Sequence, residues 1–327
     1  MQMAELKNQL DKLNNVLPRG AQVYFFDYPV HNNVGDMLIW KGTEQFFKEN
    51  KIQVLKRYSC HLVDYLLKKQ DKLIKIPKEA IIVCQGGGNF GDLYPVHQNL
   101  RKLIVGEFPN NRIVILPQSI FYEDKKAAKK DFAIFGNHKD LHLYVRDNQS
   151  FELARQYLKN VYLCQDMAHA LYPLEQKNSD NLKTLYFLRR DKERVEATIA
   201  KGDGVEIDEF DWHLLFSKVD MKLMRIFNRV HHSYKMIKMI SPNILAKLWF
   251  IYNGYMINKA IKLFSDHQII VTSRLHGHIL ACLMNKENKL LDNSYGKNSS
   301  YFQCWTNSIE HVELIEDPSK ITQQESV

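Results

Sequence analysis

Cysteine is scarce in this chain and never paired in sequence. The five residues, Cys60, Cys84, Cys164, Cys282 and Cys304, are odd in number, widely spaced and form no CxxC. That spacing argues against a disulfide framework and against a zinc site, and it fits a reducing cytoplasm. Long hydrophobic runs are missing too. The stretch Leu248–Met256 falls far short of the roughly 20 residues that cross a bilayer. Met1–Asn15 mixes Glu5, Lys7, Asp11 and Lys12 among single leucines, so no signal-peptide core is expected there and export is not expected either. No solenoid repeat or low-complexity tract is visible. Acidic residues are absent from Met221–Phe264, which holds eight Lys or Arg, so the net charge of +8 is local and the remainder balances at 37 basic against 37 acidic residues. A chain basic only in one zone does not read as a nucleic-acid binder.

What is present suits a soluble globular protein of two domains. The length is 327 residues, with 45% hydrophobic and 25% charged residues, and domains run about 100 to 200 residues. Apolar runs at Val23–Phe26, Ala80–Cys84, Arg112–Leu116, His142–Val145 and Val161–Leu163 read as strands. Helical patterns follow at Met37–Lys48, Gln98–Phe108, near Glu123 and at Gln149–Leu158. The loop QGGGNFGD follows the second strand, and PQSIF closes the third. A polar stretch from Pro173 to Lys183 reads as a linker, placing a boundary between domains 1–178 and 179–327. Beyond it come strands at Thr184–Leu188, near Val205–Phe210 and at Gln268–Val271, with a basic helical segment 221–264 between the last two. Alternating strands and helices imply α/β architecture: two Rossmann-like parallel-sheet domains facing a central cleft, GT-B-like in arrangement, with ligands at the carboxyl ends of the strands.

Several loops at those ends carry candidate chemistry. Gly86, Gly87 and Gly88 either make a tight turn or form a backbone nest for an anion, with Asn89 beside them. No GK[ST] follows, so this is not a Walker loop, and it is not read as a dinucleotide fingerprint. Ser273, as an N-cap, opens a helix running through Leu283. Its free N–H groups and the Arg274 fork suit a phosphate or carboxylate. His276 in that turn is either a satisfied core histidine or a ligand-facing acid, whereas His278 projects elsewhere and reads as core. Arg189 and Arg190 end the first strand of the second domain, one facing the cleft and one solvent. Arg146 and Asp147 hold the equivalent position in the first domain, where a structural salt bridge is the alternative reading. Asp36 is an N-cap or a base for a sugar hydroxyl. Carboxylates and imidazoles at metal-ligand spacing are missing, so no metal is expected.

Taken together, NVGDMLIWKG, QGGGNFGDLY, LPQSI, RDNQS and VTSRLHGHILACLMN resemble the polysaccharide pyruvyl transferase family, in family order and over nearly the whole chain. The resemblance implies a GT-B-like fold, phosphoenolpyruvate as donor, a pyruvate ketal on a hexose as product and no organic cofactor. It assigns donor binding to Arg274 and an acid to His276, with Arg189 or Arg190 as a further donor-gripping arginine. Substrate contacts are expected around Gly86, Gly87, Gly88, Asn89, Gln118, Ser119, Ser273 and Gly277, with Asp36 as base. The acceptor is not implied. It can be free, nucleotide-linked or lipid-linked.

The basic segment interleaves Met224, Phe227, Tyr234, Ile237 and Ile240 with Lys and Arg. Such a segment can lie on an anionic membrane surface, which suits a lipid-linked acceptor at the inner leaflet of the plasma membrane. It can equally be a core helix pair with a solvated basic face, or the contact of a homo-oligomer. The rival functions are a GT-B glycosyltransferase using a nucleotide sugar and a non-catalytic glycan- or anion-binding protein.

Overall fold

Short apolar runs bounded by polar turns become the strands of two parallel sheets. The structure is a computed structural model, and it describes residues 2–61, 63, 74–174, 183–189, 209–232, 240–292 and 296–315. The first sheet contains β1 (Gln22–Phe26), β2 (Gln53–Tyr58), β3 (Ile81–Cys84), β4 (Gly87–Gly91), β5 (Ile113–Phe121), β6 (Leu141–Val145) and β7 (Val161–Leu163). Its order is β2-β1-β3-β5-β6-β7, with β4 beside the end of β5. The second contains β8 (Thr184–Phe187), β9 (Glu209–Phe210), β10 (Ile269–Thr272), β11 (Glu287–Leu291) and β12 (Val312–Ile315), ordered β12-β11-β10-β8-β9. Every described pairing is parallel.

The helices are α1 (Met3–Gln9), α2 (Val34–Glu49), α3 (Pro95–Glu107), α4 (Lys125–Gly136), α5 (Asn148–Ala154), α6 (Lys218–His232), α7 (Pro242–Ser265), α8 (Leu275–Leu283) and α9 (Lys297–Tyr301). β3 and β10 are buried along their whole length, as parallel strands covered on both faces must be. Alternate residues feed opposite sides of the first sheet: Phe25 and Val83 enter one apolar cluster, Phe26 and Cys84 another. The cluster holding Phe25 also contains Leu185, Phe187 and Ile270 of the second sheet, so apolar packing runs from one sheet to the other.

Two expectations from sequence change. The glycine run is not a loop but β4, paired with the second half of β5. β5 itself continues through Pro117 instead of stopping there. Proline has no N–H to give the ladder, and the pairing with β6 shifts register between Ile115 and Gln118. The first half of β5 therefore pairs with β3 and the second half with β4. Gly86, Gly88 and Gly91 do stand in GxGxxG spacing. The segment nevertheless lacks the immediate strand-to-helix turn that holds a dinucleotide's pyrophosphate. The proposed linker and the strand near Val205 fall largely outside the described residues, as do Arg190, Tyr234 and Ile237.

The basic segment braces both sheets. The α7 helix is 24 residues long, about 36 Å at 1.5 Å per residue. At its start the Asn243 amide donates to Leu55 O (2.9 Å) and accepts from Arg57 N (3.0 Å), satisfying the edge of β2. Midway, Trp249 Nε1 donates to Pro29 O at 2.6 Å, and at the end Phe264 packs edge-on against Phe187 of β8. On its inner side α2 packs against the 3-10 turn Met167–Leu171 through Gly42, where a Cβ would meet Met167 O at 2.1 Å. Gly42→Ala is expected to cost about 1–3 kcal/mol or more of folding stability, because backbone atoms cannot yield to it. Urea unfolding of the purified variant measures that loss.

Candidate active site

The loops at the carboxyl ends of the strands converge on one cavity of ≈ 270 Å³. After β1 come His31, Asn33 and Asp36, and the β4 strand that follows β3 brings Gly88 and Asn89. Tyr94 and His97 line it from the start of α3, and Arg146 from the end of β6. The second sheet contributes Arg189 after β8, Trp212 after β9, Arg274, Leu275 and His276 after β10, and Lys297 and Asn298 beyond β11. Among the described lining residues only Asp36 is an acid, against three arginines, a lysine and three histidines. Such a wall favours an anion.

The floor is a chain of buried charges linking the sheets. Asp166, which follows β7 and is fully buried, accepts from Arg146 Nη1 at 2.5 Å, and His276 Nε2 lies 3.3 Å from the same oxygen. Burial alone would raise this carboxyl, but the His276 imidazole, the Arg146 guanidinium and the Ala168 N–H together hold it well below the usual carboxylate range. Arg146 Nε donates to Ser119 Oγ (2.9 Å), which in turn donates to Asp147 (2.6 Å). Asp147 caps α5 and does not pair with Arg146. On its other side His276 is packed against Gly35, where a Cβ would lie 2.8 Å from Nδ1. The glycine of NVGD is thus required by the histidine of SRLHG.

Arg274 is anchored just as firmly. Its Nε and Nη2 form a bidentate pair with the buried Asp211 carboxylate at 2.8 and 2.6 Å. That fork fixes the guanidinium plane at the cavity wall. Ser273 does not cap α8. The cap position falls on Arg274 without a side-chain bond, and Ser273 Oγ instead accepts from Arg189 N at 2.8 Å, tying the loop after β10 to the loop after β8.

The structure gathers Asp36, Gly88, Asn89, Arg189, Arg274 and His276 around the cavity. Gly86, Gly87, Gln118, Ser119, Ser273 and Gly277 are not among its lining residues, and Arg190 lies outside the described residues. A Cβ on Gly86 would strike Pro117 O, so that glycine serves close strand packing, whereas Gly87 has φ +137° and a Cβ there would lie 3.4 Å from Asp36 Oδ1. Gly277 packs against Thr272 and Phe187. Gln118 is buried and donates to Gln85 O (2.8 Å), while Ser119 supports Arg146. Asp36 is not the N-cap of α2. Asn33 is, and Asp36 faces His31 Nε2 at 3.5 Å. His278 bonds Asn288 and Thr306 in the core, where burial lowers it to about 4.

Sequence reasoning passed over Asp166, Asp211 and a pair of residues near the first loop. His97 Nδ1 lies 2.8 Å from Asp27, a buried aspartate with φ +71°. Burial would lower His97, but the Asp27 charge and hydrogen bond outweigh it and the imidazole is raised. Cys60 stands close to this pair, bringing three ligand-type atoms within 4.8 Å of one another. Arg101 Nη2, 3.6 Å from Asp27, already supplies a cation there. Arg101 also donates to the Asn89 side chain and backbone, fixing that residue at the cavity. Asp166 and Asp211 carried a usable signal, since each follows a parallel strand's carboxyl end within a few residues.

Sheet order, strand-end loops and a cationic cavity define an α/β protein whose strand-end cavity suits an anion. Residues 33–295 match the polysaccharide pyruvyl transferase family, and the chain belongs to it. EpsO of Bacillus subtilis (strain 168) is 39% identical over 320 residues, covering 97% of this chain and 96% of that protein. Pyruvyl transferase 1 of Schizosaccharomyces pombe (strain 972) is 23% identical, over 90% of this chain and 73% of its own length. Among solved structures, that of protein KP1_0663 from Klebsiella pneumoniae has a TM-score of 0.59 at 19% identity, covering 96% of this chain and 99% of that one, a likeness of fold alone.

Asp166→Asn leaves Arg146 buried beside a neutral group, and breaking such a pair costs about 3–5 kcal/mol. Because the folded-state pKa of Asp166 lies below the unfolded value, its stabilisation is full above the unfolded pKa and is lost as pH falls through the folded one. The stability gap between wild type and Asp166→Asn is therefore expected to narrow as the pH drops from about 6 toward 2. Denaturant titrations across that range measure it.

Proposed function

We propose that this chain transfers the enolpyruvyl unit of phosphoenolpyruvate to a pair of hydroxyls on a sugar of a surface polysaccharide or its precursor, forming a pyruvate ketal. The observation that carries this reading is the charge of the cavity wall, where Arg146, Arg189, Arg274 and Lys297 oppose one acid among the described residues. Phosphoenolpyruvate presents a carboxylate and a phosphate, and anchored guanidinium groups suit both. The volume of ≈ 270 Å³ also suits a three-carbon donor better than a nucleotide sugar, since drug-sized ligands take roughly 300–1,000 Å³. We read the two sheets as a GT-B-like pair of lobes, 1–178 for the acceptor and 179–327 for the donor, working on the cytoplasmic side.

In the proposed reaction His276, whose Nε2 lies 3.3 Å from Asp166, gives the proton of that nitrogen to the vinyl CH2 carbon. The neighbouring carbon becomes oxocarbenium-like. One sugar hydroxyl attacks it and loses its proton to Asp36, and the ester C–O bond then breaks to release phosphate. A second hydroxyl attacks the same carbon, loses its proton to the now neutral His276 and closes the ketal. The acceptor gains the mass of pyruvic acid less one water. The chemistry calls for no metal and no organic cofactor. His97, oriented by Asp27, is a second proton acceptor at the cavity.

Mass spectrometry of the acceptor together with phosphate release from phosphoenolpyruvate tests this, with a nucleotide-sugar donor run alongside. Pyruvate addition with stoichiometric phosphate is expected, and hexose addition from the sugar nucleotide would establish the glycosyltransferase reading instead. His276→Ala and Asp36→Asn are each expected to lower turnover by about 10²- to 10⁴-fold with little change in donor binding. A larger fall for His97→Gln than for Asp36→Asn would move the base to the Asp27–His97 pair.

A further inference from the structure

Of the large apolar side chains exposed among the described residues, eight lie between Leu214 and Tyr255 and only four elsewhere. On α6, Val219, Leu223 and Ile226 recur at i, i+4 and i+7 with exposures of 65, 38 and 55%. On α7, Ile244, Leu248, Ile251 and Tyr255 continue the same spacing and are 50 to 62% exposed. Each set therefore occupies one helix face.

The two stripes are neighbours. Lys259 Nζ donates to Asp220 at 3.1 Å and Phe227 packs on Trp249 at 4.8 Å, so the helices run antiparallel. Leu223 is four residues from Phe227, and Tyr255 four from Lys259, which places each stripe along the seam between the helices. Exposed basic residues flank them: Lys222, Arg225 and Arg229 on α6, Lys247 and Lys262 on α7. From Met221 to Phe264 there is no acid to offset them.

We propose that this two-helix face docks on an anionic lipid leaflet, the stripes entering the headgroup boundary and the flanking cations meeting lipid phosphates. Charge selects this occupant over a second copy. A two-fold contact would set the same patch against itself, bringing like charges together with no carboxylates in the segment to pair them. Lying on the surface agrees with the absence, among the described residues, of any helix long and apolar enough to cross a membrane.

The docked face borders the cavity. Asn32 Nδ2 donates to Met221 Sδ at 3.4 Å, and Asn33 lines the cavity. Trp212, also in the wall, shares a 3-10 turn with Leu214, which is 45% exposed. An acceptor carried on a membrane lipid would thus reach the cavity without leaving the leaflet. That consequence rests on the proposed transfer reaction, whereas docking does not.

Co-sedimentation of the full chain, without donor or acceptor, tests docking on phosphatidylcholine vesicles with and without phosphatidylglycerol. Binding is expected only with the anionic lipid and should weaken as salt rises. Lys222→Gln and Arg225→Gln should each weaken it about fivefold. Leu248→Ser and Ile251→Ser should each weaken it about tenfold or more with an unchanged melting temperature, since both side chains are exposed. No binding to phosphatidylglycerol vesicles at low salt would overturn the proposal. So would binding indifferent to these variants, or a solution dimer that Ile251→Ser dissociates. Activity on a soluble acceptor with no vesicle binding would overturn docking alone, while vesicle binding without pyruvyl transfer would leave docking standing and sink the reaction.

Discussion

A single buried carboxylate organises this molecule. Asp166 leaves the first sheet and meets Arg146 of that sheet and His276 of the second, with the Ala168 N–H as a further donor. A charge so far from water is tolerable only while its partners stay in place. The relative position of the two strand-end loops is therefore fixed by electrostatics as well as by apolar packing. Gly35 is bound into the same constraint, because the imidazole occupies the space a side chain there would need. The functional consequence is that the histidine is positioned before any substrate arrives.

The cations of the cavity are held by the same device. Arg274 is gripped by Asp211, and Arg146 by Asp166 and Ser119, so both guanidinium groups are ordered by buried protein acceptors. Ordering them in the fold removes the rotamer entropy a substrate would otherwise have to overcome. The arrangement also explains why so cationic a wall can exist in a folded protein. Acids placed behind it offset its charge, while among the described lining residues one carboxylate, Asp36, faces the cavity.

The α7 helix performs two tasks on opposite faces. Its inner face carries Trp249, Met256, Ile257 and Phe264 into the core, and its first turn satisfies the backbone of the edge strand β2. Its outer face is apolar along one stripe and basic beside it, which core packing does not require. A helix that only buried itself would be polar on its outer face. The helix thus reaches from the edge of β2 to Phe187 of β8.

The amino-acid sequence determined the α/β class and the parallel sheets. Continuous apolar runs such as Ile81–Cys84 and Ile269–Thr272 are legible as doubly covered parallel strands because local hydrophobicity and length alone define them. Strand ends are local features, so the loops carrying Asp36, Arg274 and His276, which line the cavity, were legible along the chain. What it did not determine were partners distant in the chain. Asp166 lies 110 residues from His276, Asp211 lies 63 from Arg274, and Asp27 lies 70 from His97. No period or spacing links such pairs. The glycine run was misread as a loop because β4 pairs only where Pro117 interrupts the ladder of β5, a consequence of two segments meeting. Tertiary structure alone decided which arginines face the cavity and which acids hold them, because a charge buried by folding finds its counter-charge through space and not along the chain.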